Sequence, residues 1–587
     1  MLLCAVTIGL VARNAGGWWP TTWGWGALGL LFVAAAALLL RPRIELGPLD
    51  LAFLGGLGAL TTWTAVSWLW SESPPSTALE IERTLVYLAA ALALLVVAHR
   101  RSLAAALGGI LAVIVVLSCY ALATRLAADV IQQRGSSLGF RLAGVFLYPN
   151  GLGIVAVMGL LIALGFVADG AHPVTRAVAG AATVPLAMTL WLSNSRGALL
   201  ALVIGLAAVT LLTPRRRHLV VVVAPLAALG LLAIWLASRS TLLTHWADPS
   251  AAVGDGHRMA LALFALSAGA CAISIGWSRG VAVGVVAAVA LAVVVAPVSP
   301  ARGVLAAGAG ASLVPGSPAP GTTPAGRLFS ATSNSRTEYW RVALHDFLGH
   351  PLLGSGAGTF VREWYRHRHV KIDVQDAHSL YLEMLAELGV VGLGLVLVVL
   401  AIPTLAALQV RRRRYVVGGF GAFVAFAAHA AVDWDWELPG ITLAGLLCGG
   451  LLVVAARTEA QVVVLDRNRR LALLAPVLSL LALAFIALVG NRANAAALAA
   501  VSRGDWRTAA SEARRAARWE PWSAEALELE ADAAIAKNDL ATARTLLRRA
   551  VRKDGSDFEL WGRLASVTRG SERKAALERE AQLNPLG

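Results

Sequence analysis

The 587-residue chain has few charged residues: Asp, Glu, Lys and Arg make up 14% of it, against about 25% in an ordinary soluble domain. Hydrophobic residues make up 58%, and the mean hydropathy is +0.69. So few charges cannot cover the apolar surface of an aqueous fold of this size. The composition therefore excludes a soluble enzyme and indicates a protein that folds in a lipid bilayer.

Cysteine is also scarce, and the usual nucleotide and hydrolase motifs are missing. The four cysteines, which lie far apart in apolar runs, are Cys4, Cys119, Cys271 and Cys448. They form neither a metal-ligand spacing nor a disulfide framework. No Walker loop, dinucleotide-binding glycine motif, HExxH or GxSxG stands in a context that supports it. Nucleotide-driven chemistry and serine or zinc hydrolysis therefore lack support.

Basic residues exceed acidic ones, 50 against 35, which gives a net charge of +15. Most of the excess lies in short clusters between apolar runs, at Arg41 and Arg43, Arg100 and Arg101, Arg215–Arg217 and Arg411–Arg414. Positive residues in such places orient membrane helices. Since no basic patch is interleaved with exposed aromatic residues, we do not expect a nucleic-acid partner.

Apolar runs long enough to span a bilayer predict about fourteen or fifteen crossings between Met1 and Val489, the short first run included. The connecting segments alternate between basic and non-basic. The basic set, which we place in the cytoplasm, begins at Arg41, His99, His172, Pro214, Trp277, Arg411 and Arg457. The opposite set, placed outside with the C-terminal tail, begins at Ser71, Asp129, Ser193, Ser240, Ser299 and Val432.

These patterns predict an all-α polytopic membrane protein in four segments. Residues 1–298 form N-terminal membrane helices, 299–377 an extracytoplasmic loop, 378–490 C-terminal membrane helices, and 491–587 an extracytoplasmic helical-repeat domain. In the last segment Gly504-Asp505-Trp506 recurs as Asn538-Asp539-Leu540. This 34-residue period is similar to that of tetratricopeptide repeats, which normally bind a partner protein.

The loop 299–377 changes character along its length. Its first part, through Gly326, is rich in Gly, Ala, Pro, Ser and Thr and is typical of a flexible linker. Its second part predicts an amphipathic helix on the membrane surface, which opens with a capping box of Ser335 and Glu338 and ends at His350-Pro351. A glycine-rich turn follows from Gly354.

Ionisable residues at the outer ends of membrane helices are candidates for chemistry, because a charge near lipid needs a partner or a substrate. Arg196 lies where one apolar helix ends and the next begins, and its guanidinium group suits a phosphate. Arg336 and Arg341 lie on the amphipathic helix of the loop. His378 opens the next membrane helix, where an imidazole suits proton abstraction. Each residue also has an ordinary alternative, as a headgroup contact or a helix cap.

Asp433 and Asp435 form a second outward cluster, in the segment DWDWE that starts at Asp433. Two carboxylates at this spacing either hold a divalent metal ion or fix a short turn.

The chain resembles the bacterial O-antigen ligase and O-antigen polymerase (Wzy-type) family over roughly its central 300 residues. The segments that carry the resemblance are FLYPNGLGIVAVMGLLIAL from Phe146, LSNSRGALLAL from Leu192, SRTEYWRVALHDFLGHPLLGSGAGTF from Ser335, DAHSLYLEMLAELGVVGLGL from Asp376 and HAAVDWDWELPG from His429. The order of the segments after Ser335 and Asp376 is the most specific part.

The resemblance implies a membrane glycosyltransferase of the GT-C type in the bacterial plasma membrane. Its donor would be a glycan on undecaprenyl diphosphate, and its acceptor a glycan, a lipid or a protein. By match to the family, His378 is the base, Arg196 and Arg336 contact the diphosphate with Arg341 second to Arg336, and no cofactor or metal is expected. The repeat tail would contact other envelope-assembly proteins.

Alternatives remain within and outside this chemistry. A ligase, a polymerase and a protein O-oligosaccharyltransferase share the same expected residues. A transporter or flippase for lipid-linked glycan would also bind an anionic lipid with outward arginines, but the sequence shows no inverted repeat. The remaining two are a metal-assisted transferase that uses Asp433 and Asp435, and a scaffold built around the repeat tail.

Overall fold

The computed structural model describes residues 1–131, 140–246, 248–276, 278–296 and 335–587. In these residues helices make up almost all of the regular structure, and the sheet is one antiparallel pair of two-residue strands, β1 (Glu45–Leu46) and β2 (Val463–Val464). Glu45 pairs with Val464, and Leu46 with Val463. The prediction of an all-α polytopic membrane protein is confirmed.

The described helices divide between two compact units, which are built from interleaved parts of the chain. The first unit contains α1 (Leu2–Ala12), α5 (Leu103–Leu126), α6 (Pro149–Asp169), α7 (Pro173–Ser193), α8 (Arg196–Leu212), α9 (Arg216–Ser238), α10 (Thr241–His245), α11 (Val253–Ile275), α12 (Arg279–Val295), α16 (Val416–His429) and α17 (Pro439–Ala456). The second contains α2 (Pro20–Leu40), α3 (Pro48–Ser67), α4 (Pro74–Val97), α13 (Arg336–Gly349), α14 (Phe360–His367), α18 (Arg467–Ser502), α19 (Trp506–Trp519), α20 (Glu525–Ala536), α21 (Leu540–Lys553), α22 (Phe558–Val567) and α23 (Gly570–Leu583). Helix α15 (Leu380–Gln409) belongs to the second unit through Ala401.

Ten described helices are long and apolar enough to cross a membrane: α2, α3, α5, α6, α7, α9, α11, α15, α17 and α18. Four shorter apolar helices are α1, α8, α12 and α16. The ten candidate spans of the described residues are fewer than the about fourteen or fifteen crossings expected from apolar run length, which counted shorter runs as well. The first run is a helix of 11 residues, as predicted.

Close glycine contacts hold the core of the first unit together. Helices α6 and α16 cross where Gly165 meets Gly418, and a Cβ atom added to Gly165 would lie 2.8 Å from the Cα atom of Gly418. Small residues let membrane helices approach to backbone contact, where dispersion forces replace the hydrophobic effect. Any side chain at Gly165 would therefore separate the two helices.

Helix α15 is interrupted at Gly389, whose φ of +66° is one that side-chain-bearing residues rarely adopt. The interruption frees the carbonyl groups of Ala386 and Glu387 from their helical partners. They accept hydrogen bonds from the backbone N–H groups of Ser355, at 3.1 Å, and Gly356, at 2.9 Å. The predicted glycine-rich turn is therefore present, and it is bonded directly to α15.

Segments that the charge pattern places on the same side of the membrane contact one another. In the second unit, Arg470 donates to the carbonyl group of Pro42 at 2.9 Å, so two segments predicted to be cytoplasmic meet. Two segments predicted to be outward meet where Ser73 donates to Asp554 at 2.7 Å. Within the first unit, Arg457 donates to the carbonyl group of Ala98 at 2.8 Å, again joining two segments of the basic set. The side of the membrane that each group of segments faces stays a prediction.

The C-terminal helices follow the 34-residue period. Helices α19 and α21 both have 14 residues, and their first residues, Trp506 and Leu540, are one period apart. Buried alanines on α19 and α21, including Ala509 and Ala543, let neighbouring helices pack closely. The boundary predicted at residues 490 and 491 falls inside the continuous helix α18, because this helix supplies both a membrane span and the first surface for the repeat helices.

The loop differs from the prediction at its helix start. Ser335 adopts a left-handed φ of +64° and its side chain makes no capping hydrogen bond, so the predicted capping box is wrong. Glu338 is held by Arg341 and by the backbone N–H of His369 instead. The predicted helix is present as α13 and ends at His350, as expected. The predicted linker through Gly326 lies outside the described residues.

Candidate active site

Three of the predicted site residues stand at the amino-terminal ends of helices. Arg196 is the first residue of α8, Arg336 is the first residue of α13, and His378 lies two residues before α15. The chain turns through a left-handed residue at each place: Asn194, Ser335 and His378 itself have φ between +51° and +64°. The N–H groups and the dipole of a helix amino terminus favour an anion. Each of the three side chains therefore lies beside a helix end of positive potential.

In the second unit the structure brings α13 and His378 together through an aromatic residue. The rings of Tyr339 and His378 have centroids 5.1 Å apart and planes at 49°. Tyr339 also meets Trp364 edge to face at 5.1 Å, and both of these aromatic side chains are buried. Because Tyr339 lies one helical turn after Arg336, the predicted base and the first turn of α13 share one aromatic cluster.

The tautomer of His378 follows from its backbone contact. Its Nδ1 lies 3.1 Å from the carbonyl oxygen of Asp376, which can only accept a hydrogen bond. In the neutral ring Nδ1 therefore carries the proton, and Nε2 is the basic nitrogen. A second hydrogen bond fixes the turn that precedes α15, since the N–H of Ala377 donates to the Glu383 side chain at 2.9 Å.

Arg341 is engaged in a structural ion pair within the loop. Its guanidinium group donates to both carboxylate oxygens of Glu338, at 2.9 and 2.8 Å, and also to the carbonyl group of His367. The hydrogen bonds from Arg341 hold the pKa of Glu338 below its usual value. The guanidinium group of Arg341 is thus hydrogen-bonded to residues of α13 and of the end of α14.

Arg196 belongs to the first unit, whereas Arg336, Arg341 and His378 belong to the second. Ser195 caps α8 by accepting a hydrogen bond from the N–H of Ala198 at 3.2 Å. This cap fixes the turn that presents Arg196, which is half-buried.

Asp433 and Asp435 are fully buried in a polar network of the first unit. Asp433 accepts hydrogen bonds from the hydroxyl of Tyr148 and, at 2.7 Å, from the amide of Asn150. Asp435 pairs with Nδ1 of His429. These contacts are those of the alternative in which the two carboxylates fix a turn, and they tie the segment after α16 to the start of α6.

Sequence reasoning missed several members of this network. Arg141 donates to the carbonyl group of Ser193 at 3.0 Å and to the side chain of Asn150. His429 faces the first turn of α8, since a Cβ atom added to Gly197 would lie 3.0 Å from its Nε2 atom. Asn150 and His429 lie within the segments that resemble the family, but burial and pairing, which sequence does not reveal, distinguish them from other polar residues.

The C-terminal helices hold the loop helix α14 within the second unit. Arg362 on α14 donates to Asp554 at 2.8 Å and to Asp557 at 3.0 Å. Its side chain is only 13% exposed, and the two aspartates raise its pKa against the effect of burial. The C-terminal helices are therefore bonded to the loop that carries Arg336 and directly precedes His378.

A separate group of metal-ligand types also lies on the loop helices. His345 of α13 stands beside Glu363 and His367 of α14, with the ligand-type atoms of all three within 4.8 Å of one another. Partial burial and nearby cationic groups lower the pKa of His367, although the negative charge of Glu363 acts to raise it.

By fold, the chain is a polytopic all-α membrane protein with cationic side chains at helix amino termini. A family model for O-antigen ligase (Wzy_C) matches residues 249–397, a stretch that includes the loop, α13, α14 and the start of α15. Residues 249–397 of the chain are therefore similar to the O-antigen ligase family, as the sequence segments led us to expect. No curated protein matches the chain. The tetratricopeptide-like character of the C-terminal helices, which lie outside the match, stays a prediction.

Proposed function

We propose that the protein transfers a glycan from undecaprenyl diphosphate to an acceptor hydroxyl at the outer face of the plasma membrane. The observation that carries the proposal is the contact between Tyr339 and His378, because it joins the helix that begins with Arg336 to the predicted base within the family-matched region. A cation and an imidazole beside one aromatic cluster are the two functions this reaction needs.

The chemistry requires little more than charge stabilisation and one base. The acceptor oxygen attacks the anomeric carbon while the bond from that carbon to the diphosphate oxygen breaks, so the configuration inverts. Nε2 of His378 takes the proton of the acceptor hydroxyl. Arg336 neutralises the negative charge that develops on the leaving diphosphate, and Arg196 stays the prediction from the family resemblance for a second cation. Such preorganised cations supply several kcal/mol of stabilisation, and a positioned base about 10²- to 10⁴-fold in rate.

The contact among outward segments supports the proposed sidedness. Ser73, Arg362 and Asp554 belong to three segments that the charge pattern places outside, and Ser73 and Arg362 both donate a hydrogen bond to Asp554. If the loop faces outward, the C-terminal helices do so too. Partner binding by these helices belongs to the proposal as well.

Reconstitution in vesicles with lipid-linked glycan extracted from the native host tests the proposal. We expect a new glycosidic linkage in the product by mass spectrometry with the wild-type chain. The variant His378→Ala should bind the donor but transfer about 10²- to 10⁴-fold more slowly. His369→Ala, which removes an exposed histidine of the same loop, is the matched control.

The same assay distinguishes the alternatives. Chains that grow by repeat units identify a polymerase, one finished chain moved to a new acceptor identifies a ligase, and a glycosylated protein identifies a protein transferase. Movement of unaltered donor across the vesicle membrane, with no new glycosidic linkage from the wild-type chain, would refute the proposal in favour of a transporter. Full glycan transfer by His378→Ala would remove His378 as the base. Because we expect no metal in the catalytic step, transfer should continue in excess EDTA, and its loss there would return attention to Asp433 and Asp435.

A further inference from the structure

His345, Glu363 and His367 form a compact cluster on the surface of the loop. His345 is exposed, His367 is half-buried and Glu363 is buried. The imidazole rings of the two histidines have centroids 4.5 Å apart. Glu363 and His367 are four residues apart on α14, so both side chains leave the helix on the face toward His345.

The spacing of the ligand atoms suits a tetrahedral metal ion. Nε2 of His367 lies 3.3 Å from Oε2 of Glu363. Two ligand atoms bound to Zn²⁺ at about 2.0–2.1 Å are about 3.3–3.4 Å apart in tetrahedral geometry. The distance between these two ligand atoms therefore already matches a bound ion, and the ligand-type atom of the exposed His345 lies within 4.8 Å of both.

Glu363 is oriented for this role by a neighbouring cation. Arg366 donates to its other oxygen, Oε1, at 2.7 Å and also to Glu72 at 2.5 Å. The ion pair uses one carboxylate oxygen and leaves Oε2 on the side of His367. Outer contacts of this kind orient the carboxylate ligands of metal sites.

We propose that His345, Glu363 and His367 bind one divalent transition-metal ion of the Zn²⁺ type, which ties α13 to α14. Two imidazoles and one carboxylate favour such an ion over Mg²⁺ or Ca²⁺, which prefer oxygen ligands. Three protein ligands leave one position for water. The cluster does not include Arg336 or His378, so the role that we give the ion is to hold the helix that carries Arg336, and the transfer step does not use it.

Metal titration of the full chain in detergent tests the site, with an affinity tag that contains no histidine and with protein first stripped by EDTA. We expect one Zn²⁺ per chain by calorimetry, a visible spectrum of tetrahedral Co²⁺, and a melting temperature that rises with Zn²⁺ concentration. The variant His345→Ala should bind Zn²⁺ at least about tenfold more weakly, since even outer-shell changes cost that much. His369→Ala should bind as the wild type does.

Two results would overturn the inference. One is wild-type Zn²⁺ affinity in both His345→Ala and Glu363→Gln, which would assign any bound ion to another part of the chain. The other is no Zn²⁺ binding and no Co²⁺ spectrum in the wild type, which would leave only a hydrogen bond between Glu363 and His367. Since His345 is exposed, its replacement leaves the packing of the loop intact. Neither result depends on glycan transfer, so the proposed function stands or falls separately.

Discussion

Tyr339 and His378 are in ring contact, with centroids 5.1 Å apart, although they lie on opposite sides of the loop helix α14 in the sequence. Tyr339 thereby sets the position of the imidazole relative to α13. The contact is the structural basis for treating Arg336 and His378 as parts of one site.

Replacement of Tyr339 should therefore act on catalysis through His378. We expect Tyr339→Ala to lower kcat by about tenfold or more, because displacing a catalytic group by an ångström costs up to about a hundredfold. Tyr339→Phe, which keeps the ring, should retain most activity. The measurement is kcat and KM for glycan transfer in vesicles. A loss of folded protein with unchanged kcat in the remaining fraction would mean that Tyr339 only stabilises the loop.

Arg336 and Arg341 should differ in what their loss affects. We expect Arg336→Ala to weaken donor binding about tenfold to a hundredfold, the value of a charge-assisted hydrogen bond or two. Arg341→Ala should mainly lower the melting temperature, because it breaks the pair with Glu338. Donor binding and thermal unfolding of both variants separate these effects. Equal loss of donor binding in both would return Arg341 to the site.

The ion pairs of Arg362 on α14 with Asp554 and Asp557, which we call the clamp, should be important for stability. Asp554→Ala leaves the largely buried Arg362 with Asp557 as its partner, and we expect a loss near the lower end of the about 3–5 kcal/mol found when buried pairs are broken. Glu572→Ala breaks the exposed pair with Arg548 and should cost less than about 1 kcal/mol. Unfolding in detergent gives both values. Equal effects would show that the clamp is no stronger than a surface ion pair.

Glu520 makes the stability of the C-terminal helices depend on pH. Burial, and then the neighbouring Glu82, raise the pKa of its carboxyl group from 4.5 to about 9. Between these values the folded chain keeps a proton that the unfolded chain loses, so stability falls as pH rises, by at most about 1.4 kcal/mol per pH unit. It is greatest below the unfolded pKa.

Glu520→Gln should flatten this pH dependence, because a glutamine keeps the neutral form and can still accept the hydrogen bond from Asn494. The exposed control Glu578→Gln should leave it unchanged. Thermal unfolding between pH 5 and about 9 is the measurement. A steep loss of stability that persists in Glu520→Gln would assign the titration to another group.

The sequence alone determined the class of protein, the approximate positions of the apolar helices and the resemblance to the O-antigen ligase family. Apolar run length and the alternation of basic segments are local properties of the chain. They predict the spans without knowledge of the fold, because the thickness of the bilayer sets the length of each span and the flanking positive charges set its orientation. The segments around Arg196, Arg336 and His378 could be recognised for the same reason: each is a short run of residues at a helix end.

Only the tertiary structure decided which polar residues share an environment. Asp433 and Asp435 fit both a metal site and a turn by their sequence pattern, and only the structure shows that Tyr148, Asn150 and His429 lie beside them. The two loop arginines could be distinguished only by the contact of Arg341 with Glu338. Pairing between residues far apart in the chain depends on packing and burial in three dimensions, and no local pattern encodes it.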